Sequence, residues 1–431
     1  MRRSPARRVR LRHLGTLAAA VAAVGTAAAT TGAAAPSTVQ HTHAAHQRWV
    51  STWSASSTQG PADTATCPAH SGVTDGTVRD VVVPSAGGDH ARVRLTNLFG
   101  DRPLRVGRAS IAVRDSGSSV VASTLRTLRF HGRTSVTIDP GDLAGSDPVS
   151  LPVRAGQALV VSLYFPDATG PATQHPLALQ DGYVSPGDHT GTATAGAART
   201  VNCWTFADRV DVTPARRVTG TLVTLGDSIT DGSHSTPNAN RRWPDDLNRR
   251  LQARHGPILS VANAGISGNE VLVDRVPVTF GPSALHRLDR DVLSVPGARD
   301  VILLEGINDI GAASATGTSI IAGDKQIIAR AHHQGLRIFG ATLTAFGGSN
   351  PQYGGDYGTA YGERQREAVN HWIRTGHAFD GVIDFDKATA DPSNPQQMAP
   401  AYDSGDHLHP GDAGYQRMAD SIKISALLRT K

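Results

Sequence analysis

The chain is poor in cysteine, lysine and aromatic rings. Its two cysteines, Cys67 and Cys203, are too few for a structural zinc site, and they form no C-x-x-C pair. Lysine occurs four times, so nearly all positive charge is arginine. Aromatic residues make up 5% of the chain. Acids are missing before Asp63, while six arginines lie between Arg2 and Arg12. Setting those six aside turns the formal charge from +5 to −1. A near-neutral remainder argues against nucleic acid or an anionic membrane as partner. Beyond the N-terminal region, no run matches the roughly 20 strongly apolar residues of a membrane-spanning helix, so stable membrane insertion is not expected.

What is present points to a folded, exported protein. At 39% hydrophobic residues, wholesale disorder is excluded. A length of 431 residues suggests two domains. Residues 1–35 read as a signal peptide. Arg2 to Arg12 form a positive region, Leu14 to Ala29 a short alanine-rich apolar stretch, and Ala33-Ala34-Ala35 an A-x-A-like cleavage site. The Arg7-Arg8 pair with Leu11 beyond also permits a twin-arginine signal. Residues 36–46 are small and polar, a linker whose His41, His43 and His46 are expected to be solvated. An extracellular location follows as an expectation.

Residues 47–215 follow a period of two. Alternation in His90–Leu95, Ser135–Ile138 and Leu159–Phe165, with turn signals such as Asp139-Pro140-Gly141-Asp142 between runs, predicts an all-β, jelly-roll-like sandwich. Cys67 and Cys203 sit near its two ends, and in an exported chain they are expected to form a disulfide. From residue 218 to 431 the rhythm changes. Strand-like runs (Thr221–Leu225, Ile258–Val261, Val301–Leu304, Arg337–Ala341, Val382–Phe385) alternate with amphipathic stretches at 244–255, 284–295, 319–334, 361–376 and 412–428. That alternation predicts a three-layer α/β/α domain on a parallel sheet, with chemistry at the carboxyl ends of the strands.

Those ends carry Gly226-Asp227-Ser228-Ile229-Thr230, Asn263 to Asn269, Glu305-Gly306-Ile307-Asn308-Asp309 and, late in the chain, Asp406-His407-Leu408-His409-Pro410. A serine hydroxyl attacks an ester only when a base takes its proton, and a carboxylate orients that base. Ser228, His409 and Asp406 supply the three groups. The Ser228 and Gly268 backbone N–H groups and the Asn308 side-chain amide supply donors for a developing oxyanion. No G-x-S-x-G occurs, so the other common serine-esterase turn is missing.

These four blocks, in this order, resemble those of the SGNH or GDSL hydrolases, with Ser228, Gly268, Asn308 and His409 at the family's Ser, Gly, Asn and His positions and Asp406 at its D-x-x-H acid. The resemblance covers about residues 218–428. The sandwich-plus-hydrolase arrangement, opening Trp49-Val50-Ser51-Thr52-Trp53-Ser54, resembles a secreted arylesterase- or acylhydrolase-like subgroup associated with xylan breakdown. The resemblance implies a flavodoxin-like sheet and hydrolysis of carboxylic esters on polysaccharides or small molecules through an acyl-enzyme; no cofactor or metal is expected. A lipase or phospholipase activity, or carbohydrate binding with a dispensable hydrolase half, stands as the alternative.

Several neighbours have competing readings. His407 is read as loop wall and Asp227 as a backbone cap. Asp309 lacks further metal-ligand partners nearby in sequence. Glu305 is either a support of the oxyanion loop or a paired structural acid. Tyr353 and Tyr357, in the Gly-rich loop 346–360, are expected to be exposed on a rim above the sheet.

Overall fold

A computed structural model describes residues 48–429 except 61, 65 and 276–279. The signal and linker readings lie outside the described residues. The all-β half is built around two main antiparallel sheets. One orders the strands Val50–Ser54, Ala207–Pro214, Gly88–Thr96 and Val149–Val153, with Leu143–Gly145 also paired to Gly88–Thr96. The other orders Arg199–Val201, Gly182–Pro186, Gly76–Val82, Leu159–Phe165, Arg108–Val113 and Arg126–Thr127. Alternation explains the packing. Leu159, Val161, Leu163 and Phe165 face one core, while Val160 joins Val81, Ala112 and Val120 on the opposite side. No α-helix occurs among the described residues of this half. Cys67 and Cys203 are bonded, with Cα atoms 5.8 Å apart.

A small third sheet, Trp204–Thr205, Thr173–His175 and Thr58–Gln59, lies beside these two.

The second half carries five parallel strands, numbered here β1 (Val218–Gly226), β2 (Ile258–Gly265), β3 (Ala298–Leu304), β4 (Arg337–Ala341) and β5 (Gly381–Ile383). Their order is β2-β1-β3-β4-β5. Strand β1 is buried along nearly its whole length, as expected for a parallel strand covered on both faces. The order reverses between β2 and β3 around β1, and open parallel sheets bind ligands at such a switch point. The principal helices are α1 (Ser228–Asp231), α2 (Trp243–Gln252), α3 (Ile307–Gly311), α4 (Gly317–His333), α5 (Ala360–Thr375) and α6 (Asp412–Ser421). Pro244 lies in the first turn of α2, where its missing N–H costs no bond. Thr316 and Thr359 cap α4 and α5 through their hydroxyls.

Two expected elements differ. The stretch 412–428 is two helices, since Ile422 is extended after α6 and a short helix resumes at Ile424–Leu427. Phe385 belongs to a short helix rather than to β5, because Asp384 accepts from the Lys387 amide and starts a turn there. The cores of the two halves meet: Val218 and Ile258, at the starts of β1 and β2, pack into the sandwich core.

Candidate active site

Three of the four expected blocks leave the sheet at its switch point. Ser228 follows β1 directly as the first residue of α1. Asp227 caps that helix, its Oδ1 accepting the Ile229 amide at 2.9 Å, as the sequence suggested. Gly268 lies just beyond β2, and Asn308 lies in α3 beyond β3. The fourth block reaches the same place from the loop before α6.

There the Ser228 Oγ lies 2.8 Å from His409 Nε2. His409 Nδ1 lies 2.7 Å from Asp406 Oδ2. A carboxylate only accepts, so Nδ1 carries the proton and Nε2 is left as the base facing the hydroxyl. Asp406 Oδ1 accepts the Leu408 and His409 amides at 2.9 and 2.8 Å. Burial would raise the Asp406 pKa. The side-chain and backbone hydrogen bonds from His409, with that of Tyr353, outweigh it and hold the carboxyl well below the ordinary range. The acid therefore stays ionised throughout the useful pH range.

The oxyanion donors are available. Neither the Ser228 nor the Gly268 amide donates to any described residue outside regular structure. Asn308 Nδ2 gives one hydrogen to the Asn269 carbonyl at 2.9 Å, which leaves its second N–H. Gly268 has φ +76°, and a Cβ there would strike the Phe280 ring, so both conformation and space require glycine.

Residues 224–417 match the model of the GDSL-like lipase/acylhydrolase family. These residues form a GDSL-like domain. A search of curated proteins found no match to the chain. Among solved structures, a GDSL-like lipase from Bacteroides thetaiotaomicron is 17% identical, covering 50% of this chain and 90% of its own, with a TM-score of 0.37. The aryl esterase of M. smegmatis is 15% identical over 47% of this chain and 95% of its own, TM-score 0.38. A carbohydrate acetylesterase family member from Sinorhizobium meliloti is 14% identical over 47% and 94%, TM-score 0.37. The GDSL domain makes the protein a carboxylic ester hydrolase.

Around the GDSL residues the structure adds groups that spacing did not reveal. His234 Nε2 lies 3.1 Å from Asp406 Oδ2, and its ring stacks on His409 with centroids 5.2 Å apart. It adopts φ +65°, a conformation that no local pattern in the sequence signals. Tyr415 on α6 holds this turn by donating to the Ser233 carbonyl at 2.6 Å. The two tyrosines of loop 346–360 are not an exposed rim. Tyr353 is half-buried and donates to Asp406 Oδ2 at 2.7 Å. Tyr357 is 7% exposed. Gly311, at the end of α3, makes room for its ring, which occupies the space a Cβ would need. A Gly-rich loop has the composition of a solvated one, so composition alone puts both tyrosines outside.

The remaining neighbours resolve as follows. His407 is half exposed and pairs with Asp403 at 2.7 Å, away from the serine. Asp309 accepts the Val271 and Leu272 amides at 2.8 and 3.0 Å. Glu305 is buried with its Oε2 3.6 Å from Arg287 Nη2. Burial and the nearby Asp227 raise the Glu305 pKa strongly. Among the described residues, one group of three potential metal ligands exists, His234, Asp406 and His409, with ligand atoms within 4.8 Å. Both His409 nitrogens and Asp406 Oδ2 already take part in the hydrogen bonds above.

Proposed function

We propose that the protein is an exported serine esterase that cleaves short acyl or aryl esters, on polysaccharides or small molecules, through an acyl-enzyme on Ser228. The single observation that carries the reading is the continuous contact Ser228 Oγ, His409 Nε2, His409 Nδ1, Asp406 Oδ2. His409 takes the serine proton as Oγ bonds to the ester carbonyl carbon, and the resulting imidazolium faces the ionised Asp406. The oxyanion is met by the Ser228 and Gly268 amides and by Asn308 Nδ2. His409 then protonates the departing alcohol, and water repeats the sequence in reverse to free the acid.

Export is supported by the N-terminal charge and alanine pattern, and the Cys67–Cys203 bond suits an oxidising compartment. The preference for a small acyl or aryl group is supported by Phe280, which is 47% exposed and packs beside Gly268. One apolar ring there suits an aromatic or short aliphatic group. The test is release of p-nitrophenol from p-nitrophenyl acetate by purified parent and Ser228→Ala. Parent turnover and its loss in the variant are expected; equal turnover in the two would overturn the reading. A panel of acetylated xylan, feruloylated arabinoxylan, phospholipid and p-nitrophenyl esters of graded length then sets the substrate class.

A further inference from the structure

The all-β half reaches into the hydrolase at one buried histidine. His175, on the strand Thr173–His175, has Nδ1 2.9 Å from the Ser56 carbonyl and Nε2 2.9 Å from Asp231 Oδ1. Both ring nitrogens thus face atoms that only accept or that carry negative charge, so the ring is held as an imidazolium. Asp231 is the last residue of α1, the helix that Ser228 begins. Its other oxygen accepts the Ser267 backbone N–H at 2.9 Å and the Ser267 hydroxyl at 3.1 Å. Ser267 immediately precedes Gly268. One carboxylate therefore joins the helix of the nucleophile to the loop of an oxyanion donor, and the sandwich supplies its counter-charge.

The same sandwich residue is used twice. The Ser56 hydroxyl accepts from Arg287 Nη1 at 3.3 Å, and Arg287 also donates to the Ala264 and Gly226 carbonyls at 2.6 and 3.0 Å and to Asn269 Oδ1 at 2.9 Å. Those acceptors are the ends of β1 and β2 and the residue after Gly268. Further out, the Ala178 carbonyl accepts from Arg242, and the Leu179 carbonyl accepts the Asn238 amide at 2.8 Å.

We propose that His175 is a positioning residue of the esterase site, setting the Ser267-Gly268 loop against Ser228 through Asp231, so that the all-β half is an obligatory part of the catalytic unit. This rests on the esterase reading above. Burial opposes charge on His175, while Asp231 and the Ser56 carbonyl outweigh it and raise its pKa above the ordinary histidine value. Loss of an N–H toward Asp231 frees the loop, and displacement of a reacting group by about 1 Å costs about 10²-fold in rate.

The experiment uses the full chain and p-nitrophenyl acetate. His175→Phe is expected to lower kcat about 10²-fold with KM within about 2-fold. His175→Gln, which restores an amide donor, is expected to recover at least about a tenth of the parent kcat. Parent-like kcat in both variants would overturn the proposal. So would a loss that appears equally in KM, or one that His175→Gln does not relieve although its Tm matches the parent. If His175→Phe does not fold, Asp231→Asn is read instead: a kcat loss that combines with His175→Gln less than additively supports the coupling, and strict additivity refutes it. Undiminished turnover by Ser228→Ala is a separate outcome, and it strikes the esterase reading rather than the role of His175.

Discussion

The Tyr357 hydroxyl donates to Asn308 Oδ1 at 2.5 Å and so fixes which end of the amide faces the nucleophile. With the oxygen held by Tyr357 and one nitrogen hydrogen held by the Asn269 carbonyl, the remaining N–H has one direction left to it. Asn308→Ala is expected to lower kcat about 10²–10³-fold with little change in KM, as for loss of an oxyanion donor. Tyr357→Phe, which leaves the amide present but free to turn, is expected to cost about 2–10-fold, the range of one hydrogen bond. Steady-state kinetics on p-nitrophenyl acetate measures both. An effect of Tyr357→Phe confined to KM would show that the ring serves binding instead.

Asp406 Oδ2 is shared by His409, Tyr353 and His234. Removing either outer donor is expected to lower kcat modestly, about 2–10-fold for Tyr353→Phe or His234→Ala, because His409 and two backbone amides still hold the acid. The double variant is expected to lose more than the product of the two single losses, since the remaining partner compensates in each single variant. Purely multiplicative losses would show that the two donors act independently.

Asp227 is the buried cap of α1, and its Oδ2 has no hydrogen-bond partner. Burial, opposed by the Ile229 amide and aided by Asp309, pushes its pKa up to about 7. The sign follows from linkage. The unfolded chain loses this proton at the ordinary carboxylate pKa, near 4, whereas the folded chain keeps it to about 7. Stability therefore falls as pH rises across that window and is level above it. Asp227→Asn retains the cap and removes the titration. Its Tm relative to the parent is expected to be roughly a few degrees more favourable at pH 8 than at pH 4 in differential scanning fluorimetry. A gap independent of pH would refute the assignment.

The Cys67–Cys203 bond closes a loop with a sequence separation of 136 residues, and in the chain-entropy model such a loop contributes about 4–5 kcal/mol. Cys67→Ala/Cys203→Ala is expected to lower Tm by roughly 5–10 °C. Esterase activity at 25 °C should remain, because neither cysteine contacts the catalytic residues. The same shift should follow reductant treatment of the parent.

Much of the architecture was legible because each half obeys one period. The alternation of Leu159–Phe165 and the apolar run within β1 are local patterns, and both strands lie where the pattern puts them. The catalytic blocks were legible for a different reason: their residue types are chemically unusual at the ends of buried strands. Long-range relationships left less trace. His175 is separated from Asp231 by 56 positions and belongs to the other half of the molecule, so neither period nor spacing marks it. Composition puts Tyr353 and Tyr357 outside because it reports what a loop contains, not which way it folds back.

The bare backbone at Gly311 has a practical consequence. It admits the Tyr357 ring whose hydroxyl holds Asn308, so the steering of that amide depends on an atom that is missing from a residue outside the four catalytic segments. An engineer who grafts only the serine, glycine, asparagine and histidine segments onto a new scaffold would transplant the reagents without their aim.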